Sequence, residues 1–218
     1  MFFVEELKKR AAREAVKEIR DGMVVGLGSG STAKYAIIEI GRKVNEGLEI
    51  VGIATSLESE KVARDCGIKV GDINEYEEID ITIDGADQVD RKLNLIKGGG
   101  GALLREKIVA SCSKREIIVV DESKIVDKFS FPLPVEIVKF GWKRTAEKIK
   151  NIGFLPELRK NFITDNGNLI VDCKYKRIDE SMVKELKEIP GVVEHGLFIS
   201  LADEVIVGTK ERVKRIKK

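Results

Sequence analysis

Four short, uninterrupted apolar runs, most of them followed at once by a stretch of helical spacing, constrain this chain more than any other feature. "MVVGL" (23–27) precedes a helical pattern from Ala33 to Val44, and "EIVGIAT" (49–55) precedes one from Leu57 to Cys66. "IDITID" (79–84) leads through a long loop to a helix from Ala102 to about Cys112, and "EIIVVD" (116–121) follows. A strand that is apolar at every position must be covered on both faces, and strand-helix alternation supplies the helices that cover it. The pattern predicts an α/β fold: a doubly wound, mostly parallel, Rossmann-like sheet. An amphipathic helix over Glu5–Arg20, with Leu7, Ala11, Ala15 and Ile19 on one side, opens the chain. In such sheets ligands bind where loops leave the carboxyl ends of the strands.

After about Lys128 the rhythm changes. "PLPVEIVKF" reads as a strand, Lys143–Asn151 as a helix, and 157–175 as a hairpin through Asp165-Asn166-Gly167. A helix over Glu180–Glu188 and a strand "GVVEHGLFI" (191–199) complete the order βαββαβ, that of a ferredoxin-like unit. We therefore expect a small α+β domain at 129–203, inserted into a larger domain made of 1–128 plus 204–218. In that scheme "DEVIVG" (203–208) returns to the first sheet, and the basic end "KERVKRIKK" forms an amphipathic helix with Val213 and Ile216 inward.

Composition narrows the partners. With 39 Lys+Arg against 37 Asp+Glu, the net charge of +2 is too balanced for a protein whose main business is the nucleic-acid backbone. No segment approaches the roughly 20 apolar residues of a membrane span. Neither nucleic acid nor membrane is therefore expected as a partner. Cys66, Cys112 and Cys173 are too scattered for a disulfide framework or a zinc site, which fits a reducing cytoplasm.

Three loops could carry chemistry. In "GLGSGST" (26–32), between a strand and a helix, free backbone N–H groups, the positive end of a helix dipole and the hydroxyls of Ser29, Ser31 and Thr32 suit a phosphate dianion. The stretch begins like the dinucleotide fingerprint, but Ser31 takes the third glycine position and the next strand ends in "ATSLE", without an acid for a ribose diol. A capped tight turn explains the stretch equally well. In "DGADQVD", Asp84 and Asp87 lie three residues apart after a buried strand, placed either for proton transfer or simply as turn formers. In "KGGGGALLRE" (97–106), Lys97 and Glu106 flank four glycines and the first turn of a helix. Each feature is ordinary alone; three successive loops opening on one sheet edge are not.

Taken together, "GLGSGST", "DGAD", "KGGGGALLREK" and "DESK" (121–124) resemble ribose-5-phosphate isomerase of the A type in order and spacing, and "TDNGN" and "PGVVEHGLF" resemble that family's small domain. The resemblance runs almost end to end. It implies interconversion of ribose 5-phosphate and ribulose 5-phosphate through an enediol, a step of the pentose phosphate pathway, with no metal or organic cofactor. The single histidine, His195, then reads as structural. By motif, Glu106 matches the general base, Lys97 the group that steadies the developing oxyanion, and Asp84 with Asp87 the residues for ring opening and hydroxyl protons. Ser29, Gly30, Ser31, Thr32, Gly85, Ala86, Gly98, Gly99 and Gly100 match ligand-contact loops, and Lys8 and Lys124 match rim lysines. A homodimer or homotetramer is implied. A sugar-phosphate-sensing module on the same architecture is the alternative function.

Overall fold

The structure, a computed structural model, describes residues 2–218. In chain order the first elements are α1 (Phe2–Val16), β1 (Val24–Leu27), α2 (Gly30–Asn45), β2 (Val51–Ala54), α3 (Leu57–Asp65), β3 (Ile81–Asp84), β4 (Gln88–Val89), β5 (Leu95–Ile96), α4 (Leu103–Ser111) and β6 (Glu116–Asp121). They are followed by β7 (Leu133–Ile137), α5 (Trp142–Asn151), β8 (Leu155–Leu158), β9 (Leu169–Lys174), α6 (Glu180–Glu188), β10 (Val192–His195), β11 (Leu197–Phe198), β12 (Glu204–Gly208) and β13 (Val213–Lys217).

The main sheet runs β13-β12-β6-β3-β1-β2, parallel except for β13. Both faces are covered, as apolar strands require. On one face α1 and α2 pack with Ala11, Ala12, Ala15, Ile37 and Ile40 against Val25, Ile83, Ile117 and Val119. On the other, Ala110 of α4 and Phe198 meet Ile118, Val120, Val205 and Val207. The three alanines of α1 are fully buried, and their small side chains let the helix lie close to its neighbours.

The first helix stops at Val16 rather than Arg20. Beyond it the bonds tighten to three-residue spacing, from Lys17 N–H to Glu14 O and from Ile19 N–H to Val16 O, which still buries Ile19.

A second, antiparallel sheet runs β10-β7-β9-β8, the strand order of a ferredoxin-like unit, with its core built from Val135, Ile149, Phe154, Val171 and Leu186. The stretch "GVVEHGLFI" is not one strand. It breaks at Gly196, after which β11 leaves for a third sheet, β11-β5-β4. A Cβ at Gly196 would lie 2.0 Å from the carbonyl oxygen of Lys97, so only glycine permits the crossing.

The terminal helix is also corrected. "KERVKRIKK" contains β13, paired antiparallel along β12 through a turn in which Thr209 N–H bonds Arg212 O. Arg215 reaches Glu204, Glu18 and Glu14 across the sheet, contacts an extended strand makes and a solvent-facing helix would not. Among the described residues no helix is long and apolar enough to cross a membrane.

Candidate active site

The carboxyl ends of β1, β3 and β6 open on one cleft. It is lined by Lys8, Ser29, Gly30, Ser31, Thr32, Gly85, Ala86, Asp87, Lys97, Gly98, Gly99, Gly100, Glu106 and Lys124. Every site residue expected from sequence is on this wall except Asp84. A larger cleft of about 580 Å³ shares none of these residues, and its Arg64, Asp72 and Arg105 are already bonded to Glu60, Asn74 and Asn166.

Asp84 lies beneath the floor, fully buried at the end of β3. Its Oδ1 accepts the N–H groups of Ser29 at 2.9 Å and Gly85 at 2.6 Å. Its Oδ2 stands 2.9 Å from Lys97 Nζ, an ion pair whose angles fall outside hydrogen-bond geometry. Lys97 also donates to Gly85 O at 2.5 Å and stands 3.3 Å from Glu106 Oε1. Burial alone would lower the Lys97 pKa, but the carboxylates of Asp84 and Glu106 outweigh it and hold the ammonium above its ordinary value. The lysine therefore stays charged in a site it barely exposes.

Glu106 sits in the first turn of α4, 6% exposed. Its Oε2 is buried and has no hydrogen-bond partner among the described residues. Burial pushes its pKa up, Lys97 opposes and Asp84 adds to the rise, so that it stands at about 8. A carboxyl poised near neutrality with one uncommitted oxygen is chemically suited to carry a proton.

The glycine loop has a reason for its composition. Gly98 and Gly101 have φ of +96° and +86°, a conformation that side chains disfavour. A Cβ on Gly101 would meet the Phe162 ring at 2.1 Å, and one on Gly99 would meet Asp87 Oδ1 at 2.4 Å. Asp87 Oδ2 accepts the Gly99 N–H at 2.7 Å.

At the opposite end, α2 begins at Gly30 and its N-cap, Ser29, makes no side-chain cap. The Ser29 hydroxyl turns instead to Thr55 and Ser56, at 2.7 and 2.8 Å, so it is not spare for a ligand. The first N–H groups of α2 are left for one, with Lys8 at 2.8 Å from the Ser31 hydroxyl and Lys124 on the same wall.

His195 lies outside the cleft. Burial and the nearby Lys107 charge depress its pKa to about 3, so it stays neutral. Two residues close to this arrangement had no sequence signal. Arg159, a charge within what reads as a hairpin, contacts the glycine loop from the small sheet. Glu116, which reads only as the first residue of a strand, is 1% exposed, with neither carboxylate oxygen partnered. Among the described residues no cluster of three or more His, Cys, Asp or Glu could hold a metal ion.

Known proteins give this geometry a setting. The family model for ribose 5-phosphate isomerase A (phosphoriboisomerase A) matches residues 51–212. Ribose-5-phosphate isomerase A of Bacillus mycoides is 49% identical over 216 residues, covering 95% of this chain and 98% of the relative. A D-ribose-5-phosphate isomerase solved in complex with phospho-erythronic acid superposes with a TM-score of 0.95 at 44% identity, covering 99% of each chain. The ribose 5-phosphate isomerase A of Methanocaldococcus jannaschii gives 0.94 at 42% identity, covering 98% of this chain and 99% of that one. With likeness running the length of both sequence and fold, this chain belongs to the ribose-5-phosphate isomerase A family.

Proposed function

We propose that this chain interconverts D-ribose 5-phosphate and D-ribulose 5-phosphate through an enediol, as an aldose-ketose isomerase. The observation that carries the reading is the buried, unpartnered Oε2 of Glu106 beside the charged Lys97. A proton on carbon is a weak acid, so a base removes it usefully only when the negative charge arriving on the neighbouring oxygen is stabilised at the same moment. Glu106 takes the proton from carbon 2 of the open-chain aldose and returns it to carbon 1. Lys97 and the N–H groups of the glycine loop face the oxygen that gains charge.

Asp84 is too buried to meet the sugar, so its role is to hold Lys97 charged and in place. Asp87, half-buried on the cleft wall, is left for ring opening and hydroxyl protons. The phosphate sits at the N-terminus of α2, between Lys8 and Lys124. The relative solved with phospho-erythronic acid, a phosphorylated sugar acid, supports a ligand of this class. A purely sensing module would have no use for a proton carrier at about 8.

The test is direct: purified protein with ribose 5-phosphate and EDTA should yield ketose. Glu106→Gln should retain the fold and lose about 10² to 10⁴ in rate; wild-type turnover in that variant would remove Glu106 from the role. We read the chain further as a cytoplasmic homodimer or homotetramer, with the exposed edge at Leu155 a candidate contact, which sedimentation would test. The division into 129–203 and 1–128 plus 204–218 is a matching proposal, to be checked by limited proteolysis.

A further inference from the structure

We propose that Arg159, on the small sheet, is a positioning residue for the isomerisation: it fixes the peptide planes of the glycine loop so that their N–H groups face the sugar. The inference rests on the isomerase reading above. Arg159 Nη1 donates to Gly98 O at 3.2 Å and to Gly99 O at 3.1 Å. Its other edge forms a two-point fork with Asp172, Nε to Oδ2 at 2.9 Å and Nη2 to Oδ1 at 2.5 Å. The guanidinium lies 5.3 Å from the centre of the Phe162 ring, the ring that packs on Gly101. The side chain is thus fixed by a carboxylate, a ring and two carbonyls, and is only 17% exposed.

A trans peptide points its C=O and the following N–H in opposite directions. With Gly98 O turned to Arg159, the Gly99 N–H must point the other way, and it does, to Asp87 on the cleft side. By the same rule, turning Gly99 O to Arg159 sends the Gly100 N–H toward the cleft. That N–H has no partner among the described residues, and Gly100 is on the cleft wall. The loop closes on itself through Gly101 N–H to Gly98 O at 2.9 Å, but that bond leaves the central Gly99–Gly100 peptide free to flip between turn types when both residues are glycine, so a group outside the loop must choose its orientation. Arg159 chooses them from behind while Asp87 holds the front, leaving one donor for the oxygen that gains charge.

The experiment compares Arg159→Met, Arg159→Lys and Asp172→Asn with wild type, by kcat, KM for ribose 5-phosphate, and melting temperature. A loop displaced by about an ångström loses on the order of 10² in rate, so Arg159→Met should lower kcat about that much. KM should stay near wild type, because the phosphate end is untouched. Lysine keeps the charge but not the fork and should recover part of the rate; Asp172→Asn should fall between it and wild type. Wild-type kcat in folded Arg159→Met, or a lysine variant no better than methionine, overturns the proposal. If the methionine variant does not fold, wild-type kcat in both other variants overturns it. Failure of the isomerase reading itself would appear separately, as absence of turnover in the wild-type protein.

Discussion

The Nζ of Lys97 stands 3.3 Å from Glu106 Oε1, and both side chains are buried. The same ammonium is 2.9 Å from Asp84. One cation therefore serves two carboxyl groups, and the proton affinity of Glu106 depends on it.

The pH dependence follows with a definite sign. As the proposed base Glu106 works only after losing its proton, so kcat/KM should rise with pH, half-maximal at about 8, and level off about one pH unit higher. Stability should move the other way. The folded carboxyl holds its proton up to about 8 and the unfolded one only to its ordinary 4.5, so between these values the native state binds more protons. The contribution is fully present below 4.5 and is lost as pH rises through 8. Melting curves of Glu106→Gln at pH 5 and pH 9 should show the variant gaining on wild type at the higher pH.

Lys97→Met should be inactive and less stable. Removing one partner of a buried pair leaves the other charge uncompensated, at a cost of about 3–5 kcal/mol. Adding Asp84→Asn should recover part of that loss without restoring turnover. Urea denaturation of the single and double variants checks it, and equal stability of the two would contradict the pairing.

In the proposed function Lys8 and Lys124, both on the cleft wall, hold the phosphate end, away from the reacting carbons. Replacing either with alanine should raise KM by about tenfold, the worth of one hydrogen bond to a charged group, and leave kcat nearly unchanged. Steady-state kinetics at two salt concentrations measure both effects, since these half-exposed charges are screened.

Glu116 is absent from the cleft wall and its carboxylate is buried without hydrogen-bond partners, so it reaches Lys97 through electrostatics alone. Burial first, then Asp84, raises its pKa well above the ordinary value. Glu116→Leu should retain activity and gain about 1–2 kcal/mol, the cost of burying an unsatisfied polar group. A loss of stability by urea titration would count against this account.

The parallel sheet and the ferredoxin-like order were legible because periodicity reports burial, and burial decides both. The cleft was legible because its residues cluster in three loops at one sheet edge. The terminal strand was not: Val213 and Ile216, three apart, suit one side of a helix, and nothing local announces that Arg215 will meet Glu204 and Glu18. Asp84 read as the twin of Asp87, for proton transfer or for the turn, because its separate burial depends on Lys97, which the β4–β5 hairpin brings in from 13 residues away. Arg159 was silent for the same reason, being 60 residues from the carbonyl of Gly99 that it holds.

The crossing at Gly196 has one more consequence. The Lys97 N–H bonds Gly196 O at 2.8 Å, and the Gly196 N–H bonds Pro134 O at 2.8 Å. Lys97, the cation of the proposed reaction, is thus tethered through its own main chain to the last-made segment of the small unit. During synthesis these two bonds cannot form until Gly196 has emerged, so a chain cut before it should be catalytically mute.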